Sequence, residues 1–303
     1  HRARVSEPVA HRQRRTQCWL SKDERDQITV KIQTAFAAGK SVYQAFYDAL
    51  DAGDPVASLS TWYRIARAVD QTTRPIRRTR KHRATAMPTL LVDGPDQAWS
   101  WDITHLRGPY RGVSYQLYLA MDVFSRMVTG WRVETREDDD LAAEMFEQAF
   151  TVRGVLPRII HSDGGPSMTS RTLGDLFAEL GIATSRNRPR VSNDNPYSES
   201  LFKTAKYTPD YPAFFTNLDH ARSWAADFVE GYNHRHHHAG LEGHTPHDVH
   251  HGTWTGVHHR RQAAMDSLYT AHPERFTHPP RVPTPMAQVA INQETNRDRL
   301  HAG

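Results

Sequence analysis

The sequence has a single cysteine, Cys18, among 303 residues. One thiol cannot form a disulfide within the chain, and it excludes the multi-cysteine zinc sites of zinc-finger proteins. Long apolar runs are also absent: no stretch approaches the ~20 residues of a membrane-spanning helix. No signal peptide is visible either. We therefore expect a protein without membrane contact that acts inside the cell.

Positive charge is concentrated in the N-terminal part of the sequence. Residues 1–96 hold 17 Lys and Arg against 10 Asp and Glu, whereas the remaining residues hold 21 against 24. This asymmetry suits a DNA-binding part followed by an acidic catalytic part. A basic, solvated tail would give the same totals, so the charge alone leaves both interpretations open.

Three amphipathic helices are predicted within residues 21–70, after a basic arm at residues 1–20 that shows no apolar periodicity. The first begins after Ser21, and Glu24 stands three residues later, as in a capping box. The second begins after Ser41, and the third begins near Ser58 or Ser60. This succession is typical of a helix-turn-helix domain.

In a helix-turn-helix domain, residues near the start of the last helix contact base edges in the major groove. The corresponding residues here are Ser60, Thr61 and Arg64, and Arg67 is placed to contact a phosphate. A plain three-helix bundle with a basic face fits the same periodicity. The position ahead of a catalytic core favours DNA binding.

A basic linker is predicted at residues 71–96. It contains the string RPIRRTRKHR, in which Pro75 and the dense positive charge argue against a packed element. Such a segment contacts phosphates without regard to base sequence. A tether with no ligand is the alternative.

An alternating α/β pattern begins at Gln97 and defines a predicted core at residues 97–252. Three strands are followed by a helix, a strand, a helix, a strand and the helix that carries Glu199. The predicted strands span residues 97–105, 113–123, 127–133, 158–161 and 182–185, and predicted helices span 141–152, 172–180 and 218–233. A helix and an extended tail are predicted at residues 253–303.

Three acidic residues stand at informative places in this pattern. Asp102 lies in an apolar strand, Asp163 directly follows a short buried strand, and Glu199 lies three residues after Pro196 at the start of a helix. Two carboxylates about 4 Å apart repel by roughly 4 kcal/mol at an effective dielectric constant near 20. A group of three therefore requires a divalent cation, and hard oxygen ligands suit Mg²⁺ or Mn²⁺. A pair of such ions can promote in-line attack on a phosphodiester.

The flanking strings WSWDIT, MDVFSRMVTGW, HSDGG and SNDNPYSESLFKTAKY resemble the catalytic core of DDE transposases of the retroviral-integrase type. More narrowly, they resemble the second-frame product of the bacterial insertion-sequence family whose transposase arises by frameshifting. In that family 35 residues separate the last two acids, as they do here, and a basic residue follows the glutamate by seven positions. Lys206 stands there in this sequence.

The resemblance implies a ribonuclease-H-like fold: a mixed five-stranded sheet with flanking helices, preceded here by the small all-α helix-turn-helix domain. It also implies Mg²⁺-dependent strand cleavage and strand transfer at element ends, with Asp102, Asp163 and Glu199 as metal ligands. The first residue is His1 rather than Met, so we expect that an upstream helix-turn-helix and leucine zipper belong to the complete protein.

DNA partners follow from the same resemblance: the terminal inverted repeats of the element and a target DNA, bound by a homo-oligomer in the cytoplasm at the nucleoid. The residues expected to contact DNA, besides Arg64 and Arg67, are Lys203 and Lys206 on the helix of Glu199, and Arg188 and Arg190 before it. Two other functions remain open, namely a ribonuclease-H-like nuclease without strand transfer and an inactive DNA-binding remnant.

Three further groups invite a catalytic or metal-binding interpretation. Asp122 lies on a strand beside that of Asp102 but fits none of the family's positions. The acids at 137–140 precede a helix, where negative charge is favoured by the helix dipole. Five histidines lie between residues 234 and 244, and we interpret this run as a structural signature following the core rather than a metal site.

Overall fold

The computed structural model describes residues 20–69, 90–163, 165, 167–186 and 196–291. The chain divides into two compact units. Among the described residues, one unit contains residues 20–69 and 256–283, and the other contains those between 90 and 255 together with 284–291. None of the helices in these described ranges combines the length and apolar character that a membrane crossing needs.

Nine α-helices and seven β-strands make up the regular structure of the described residues. The helices are α1 (Lys22–Ala37), α2 (Val42–Asp51), α3 (Leu59–Ala68), α4 (Asp139–Arg153), α5 (Arg171–Glu179), α6 (Pro196–Lys206), α7 (Leu218–His234), α8 (Pro246–His250) and α9 (Trp254–Ala271). The strands are β1 (Leu90–Val92), β2 (Ala98–Arg107), β3 (Ser114–Asp122), β4 (Val128–Glu134), β5 (Ile159–Ser162), β6 (Ala183–Arg186) and β7 (Val289–Ile291).

The helical unit begins with the three predicted N-terminal helices. Ser21 and Glu24 form the predicted capping box at the start of α1, and Ser41 begins α2 with a second capping box. Trp62 of α3 is fully buried, and its indole N–H donates to the Pro55 carbonyl at 2.9 Å. The N-terminal helical region is therefore present as predicted.

A second stretch of chain completes this helical unit. Met265 of α9 and Val282 join the same apolar cluster as α1, α2 and α3. Arg261 of α9 is almost completely buried, and its guanidinium bonds both carboxylate oxygens of Asp51. The predicted separation of residues 253–303 into a domain of their own remains a prediction.

A mixed five-stranded sheet forms the centre of the other unit. The strand order is β4-β3-β2-β5-β6, in which β2 pairs antiparallel with β3 and parallel with β5. β4 is antiparallel to β3, and β6 is parallel to β5. This is the topology of the ribonuclease-H-like fold, and it confirms the predicted fold class.

Apolar residues cover both faces of the sheet, because successive side chains of a strand point to opposite sides. One face packs against α6 and α7, with Leu117, Leu119 and Trp224 in its core. The other face packs against α4 and α5, around Trp101 and Phe146. The strands of the sheet are thus held between two layers of helices.

Two short strands that the sequence did not predict form a second sheet. β1 pairs antiparallel with β7, with Leu91 opposite Ala290. β1 falls inside the predicted linker, and β7 falls inside the predicted extended tail. Residues almost 200 positions apart in the sequence are therefore neighbours in the unit that contains the five-stranded sheet.

Candidate active site

Asp102 and Asp163 lie side by side because β2 and β5 are parallel neighbours. Trp101 of β2 pairs with Ser162 of β5, so the next residue in each segment is an aspartate at the same level of the sheet. Both aspartates are partly buried. The parallel pairing therefore brings together two of the three predicted ligands.

The third carboxylate comes from the first turn of α6, which packs against β2. Ser198 is buried, and its hydroxyl lies 2.9 Å from that of Ser100, two residues before Asp102. Glu199 follows Ser198 directly and is partly buried. A residue separated from Asp163 by 35 positions in the sequence is thus delivered to the neighbourhood of Asp102.

The charges of the other two carboxylates act on Asp102. Burial raises the pKa of Asp102 to about 7, and the negative charge of Asp163 adds to the increase. A hydrogen bond from the Ile103 N–H, at 2.8 Å, opposes the shift, whereas the charge of Glu199 contributes further to it. The aspartate therefore stands in a field that favours a neutralising cation.

The donor set fits a divalent cation. In the described part of the chain, no lysine, arginine or histidine forms an ion pair with Asp102, Asp163 or Glu199. The contact made by Asp163 is a hydrogen bond that its Oδ1 accepts from the Gly165 N–H at 2.9 Å, which orients the carboxylate without neutralising it. Three oxygen ligands on a rigid sheet and helix suit a hard divalent ion.

Lys206 lies at the far end of α6 from Glu199 and is already bound to β2. Its Nζ donates to the Thr104 hydroxyl at 2.7 Å, and Thr104 lies two residues after Asp102. Alternate residues of a strand share a face, so the ammonium group lies on the same face of β2 as Asp102. Lys203, one turn earlier, is exposed.

A second acidic cluster lies at the start of β2. Among the described residues, one set of ligand-type atoms falls within 4.8 Å of one another, and it belongs to Asp96, Asp122 and His250. Asp122 is fully buried and accepts from the Asp96 N–H at 2.8 Å and from the Ser125 N–H and hydroxyl at 2.7 and 2.6 Å. The carboxylate is therefore satisfied by donors of the protein itself.

Positive charge is also present in this second cluster. His250 Nε2 lies 3.2 Å from an oxygen of Asp96, and the Arg153 guanidinium contacts both the imidazole and Asp96. Burial opposes protonation of His250, but the hydrogen bonds and charges of Asp122 and Asp96 raise its pKa. The same contacts lower the pKa of Asp96 against the effect of its burial. We interpret the cluster as an internal ion network.

The histidine run has structural roles, as expected. His237 Nδ1 bonds the Gly243 carbonyl at 3.0 Å, and His238 Nδ1 accepts from the Gly240 N–H at 3.0 Å. Burial lowers the pKa of His236 to about 4 and that of His238 to about 3, so both imidazoles are neutral. The ring of His236 stacks on Tyr232 at a centroid distance of 5.4 Å.

The acids before α4 also have the expected role. Asp138 is the N-cap of α4, and its side chain accepts from the backbone N–H groups of Asp140 and Leu141. A hydrogen bond from Arg136 is the largest influence on Asp138, and it lowers the pKa of this carboxyl. The group is a helix cap with an adjacent arginine.

The predicted DNA contacts of the helical unit lie on the exposed side of α3. Ser60, Arg64 and Arg67 are exposed, and Arg64 Nη2 donates to the Thr61 hydroxyl at 3.2 Å. Arg188 and Arg190 lie outside the described residues. Their role as DNA contacts, like that of Arg64 and Arg67, stays a prediction.

The sequence did not single out the residues that anchor α6. Arg126 stands over the Tyr197 ring, with its guanidinium carbon 3.6 Å from the ring centroid, and Ser198 bonds Ser100. Arg126 belongs to the string MDVFSRMVTGW that carries the family resemblance, and this was the available signal. Nothing in the local pattern indicated which partner the arginine would find.

Protein-family models agree with this site. A model described as the integrase core domain matches residues 92–192, and a second integrase core domain model matches residues 180–246. Together they begin in β1, include all three carboxylates and end at the start of α8. The matched region is the sheet and the helices that carry the site.

Curated relatives of this chain are insertion-sequence transposases. The transposase for insertion sequence element IS904 of Lactococcus lactis is 29% identical over 176 residues, which cover 56% of this chain and 69% of that protein. The transposase InsF for insertion sequence IS3A of Escherichia coli is 28% identical over 160 residues, which cover 52% and 54%. The chain thus spans 69% of the length of the first relative and about half of the second.

Among solved structures, the catalytic core domain of HTLV-2 integrase in complex with magnesium aligns with 52% of this chain and 98% of its own, with 22% identity and a TM-score of 0.39. The two integrase core models together span half of the chain, residues 92–246. The relatives that share this region are insertion-sequence transposases. The protein therefore belongs to the DDE transposases of the retroviral-integrase superfamily.

Proposed function

We propose that this protein cleaves DNA strands at the ends of an insertion element and joins them to a target DNA. The proposal is supported by the group of three carboxylates, Asp102, Asp163 and Glu199: the charges of Asp163 and Glu199 act on Asp102, and no cationic side chain of the described residues is paired to any of the three. The integrase core matches support the same assignment.

Asp102, Asp163 and Glu199 would hold Mg²⁺ or Mn²⁺, and we propose a pair of ions. Such ions activate an attacking water or 3′-hydroxyl and stabilise the leaving oxygen. The protein contributes a fixed ligand set: β2 and β5 fix the two aspartates at one level, and the Ser198–Ser100 contact sets the first turn of α6 against β2. In strand transfer the 3′-oxygen of the element attacks a target phosphorus, and the target's 3′-oxygen leaves and takes a proton.

DNA would lie beside α6, along its basic face. Lys203 and Lys206 follow Glu199 by four and seven residues, so all three lie along one side of the helix. The Lys206 ammonium already lies on the Asp102 face of β2 through its bond to Thr104. We assign both lysines to the DNA backbone near the scissile phosphate, and Arg188 and Arg190 to the segment of DNA next to it.

Recognition of the terminal inverted repeats is assigned to the helical unit. Arg64 would read base edges and Arg67 a phosphate, from the exposed side of α3. The protein would act as a homo-oligomer on DNA, because two element ends must be brought to one target. It would act in the cytoplasm, at the nucleoid.

The experiment incubates the purified protein with labelled element ends, an unlabelled target duplex and Mg²⁺, and separates the products by size under denaturing conditions. Joined strands longer than the substrate support the proposal. Strands that are cut but never joined would identify a nuclease without strand transfer. Binding without any cutting, by a protein whose Asp163→Asn variant behaves identically, would identify an inactive remnant.

The DNA contacts have a separate test, in which Lys206→Ala and Lys203→Ala are compared by titration of a pre-cleaved end at several salt concentrations. Each lost phosphate contact should reduce the salt slope of binding by about one unit. The effect should be larger for Lys206, because it stands at the family's basic position and its ammonium is bonded to Thr104, two residues after Asp102. An unchanged slope with a lowered melting temperature would assign the lysines to helix stability.

A further inference from the structure

The first turn of α6 contains three consecutive residues with different surroundings. Glu199 belongs to the carboxylate site, and Ser198 is buried against Ser100 of β2. Tyr197 packs against a separate apolar cluster of the same unit. The tyrosine packs with an apolar cluster that contains Val123 after β3 and Val289 of β7. The position of Glu199 therefore depends on what holds Tyr197.

Arg126 is the first partner of Tyr197. Its guanidinium carbon lies 3.6 Å from the centroid of the tyrosine ring, well within the ~6 Å range of a cation–π contact. The arginine is only 7% exposed, and its Nη1 donates to the Val123 carbonyl at 2.5 Å. Both contacts fix the guanidinium between the β3–β4 turn and α6.

Hydrogen bonds hold the backbone of this turn. Arg126 has a positive φ of 64°, a conformation that costs a non-glycine residue energy and persists where the surroundings impose it. Here the surroundings are Asp122, whose carboxylate accepts from Ser125, and the Arg126 N–H, which donates to the Asp122 carbonyl at 2.9 Å. The second acidic cluster thus fixes the turn that carries Arg126.

The second partner of Tyr197 is the C-terminal strand. The tyrosine hydroxyl donates to the Ala290 carbonyl of β7 at 2.7 Å. β7 is itself held by its antiparallel pairing with β1 and by Val289, which is buried in the same cluster as Val92. A strand from near the end of the described chain therefore reaches the helix that carries a catalytic carboxylate.

We propose that Arg126 and β7 are positioning elements that set Glu199 in the metal site by holding Tyr197. The inference rests on the proposed function. Tyr197 and Glu199 belong to one helical turn, so a displacement of the tyrosine moves the carboxylate with it. Removing a side chain that does not touch the metal but orients one of its ligands typically lowers metal affinity by about 10- to 100-fold.

The experiment measures Mn²⁺ binding by the full-length protein, from the electron paramagnetic resonance signal of free Mn²⁺, for four variants. Tyr197→Ala loses both partners, Tyr197→Phe loses only the bond to β7, and Arg126→Ala loses the cation. The matched control is Tyr207→Ala, because Tyr207 follows the last residue of α6 and is 85% exposed. Melting temperatures of all variants are recorded in parallel.

We expect Tyr197→Ala to weaken Mn²⁺ binding by about tenfold or more and Tyr197→Phe by a smaller factor, with Tyr207→Ala unchanged. Tyr197→Phe keeps the aromatic ring that Arg126 contacts, so it stays informative if Tyr197→Ala and Arg126→Ala unfold. Mn²⁺ affinity within twofold of the parent in every folded Tyr197 and Arg126 variant, whatever the melting temperature, would overturn the proposal.

Failure of the proposed function has a different signature. If the parent protein binds no Mn²⁺, the metal-site assignment fails first, and hydrogen exchange of the α6 amides decides the positioning inference. Faster exchange across residues 196–206 in Tyr197→Ala and Tyr197→Phe, with the control at the parental rate, supports the inference that Arg126 and β7 position α6 through Tyr197. Parental exchange rates in both Tyr197 variants would reject it.

Discussion

One cluster of acidic side chains lies at the start of β2 and another lies beside its middle, and the two differ in what surrounds them. In the cluster of Asp96 and Asp122, backbone N–H groups, a serine hydroxyl, His250 and Arg153 satisfy the carboxylates. In the cluster of Asp102, Asp163 and Glu199, burial and the negative charges of Asp163 and Glu199 raise the pKa of Asp102. A compact acidic cluster is therefore not by itself a metal site.

The distinction depends on whether the folded protein supplies hydrogen-bond donors and cations to the buried carboxylates. Buried carboxylates that accept several hydrogen bonds and face a cation are stable in the charged form. Carboxylates that lack such partners are destabilising until an external cation arrives, and this is the condition that favours binding of a metal. The shorter interatomic distances lie in the cluster of Asp96 and Asp122, yet the carboxylates of the proposed active site are the ones without a cationic partner among the described residues.

The largest expected difference between the clusters is in DNA cleavage. Replacing Asp102, Asp163 or Glu199 by its amide removes a metal ligand, and several kcal/mol of transition-state stabilisation correspond to a loss of more than about a thousandfold in rate. Binding of element ends should be nearly unchanged. Gel assays of cleavage and binding measure both, and strand joining by Asp163→Asn above a trace level would contradict the site assignment.

The clusters should respond in opposite directions when unfolding is measured. Asp122→Asn places an amide N–H₂ where the carboxylate accepts from protein N–H groups and removes the partner charge of His250, which should cost roughly 3 kcal/mol of unfolding free energy. Asp102→Asn is the matched control: it relieves repulsion, so its unfolding free energy should equal or exceed that of the parent. Urea titrations without metal compare the two, and a large loss in Asp102→Asn would remove the distinction.

The sheet and the three carboxylates could be predicted because their signals are local. The apolar run around Asp102, the short strand before Asp163 and the helix start at Pro196 each lie within one element. The pairing of β2 with β5 then follows from the topology of the fold. That Asp102 lies beside Asp163 was implied only by the family resemblance, and in the structure it follows from the register of Trp101 with Ser162.

Other features are not encoded locally. β1 and β7 are three residues each, too short for an alternating pattern, and their pairing joins distant parts of the chain. The partners of Asp122 come from three separate elements, so its interpretation had to wait for the structure. The contact of Arg126 with Tyr197 has the same origin, because a cation over a ring leaves no periodic trace in a sequence.

A smaller effect is expected when Mg²⁺ is added to the protein without DNA. An ion that binds only the folded state at about ten times its dissociation constant adds about 1.4 kcal/mol to the unfolding free energy. The melting temperature of the parent and of Asp122→Asn should therefore rise, whereas that of Asp163→Asn should stay constant. Thermal melts with Mg²⁺ and with K⁺ at matched ionic strength separate specific binding from screening, and a rise in Asp163→Asn would place the ion elsewhere.

The smallest effect is the pH dependence that His250 contributes to stability. Burial disfavours the charged imidazole, but Asp122 and Asp96 outweigh it and raise the pKa above the ordinary value of 6.5. A group whose pKa is higher in the folded state stabilises the fold fully below its unfolded pKa and loses that contribution as pH rises through the folded value. The slope for one proton is at most about 1.4 kcal/mol per pH unit.

His250→Gln should therefore remove part of the fall in unfolding free energy that the parent shows as pH rises above about 6.5. Arg153, which contacts the imidazole, keeps its charge throughout this range, and His251, the neighbouring ring, has a lowered pKa because of burial and the charge of His250. His278→Gln, at an exposed position, is the matched control and should keep the parental slope. If His250→Gln and the parent lost stability in parallel between pH 6 and 9, the imidazole would be neutral in the folded protein. Arg153 alone would then supply the positive charge of the second cluster.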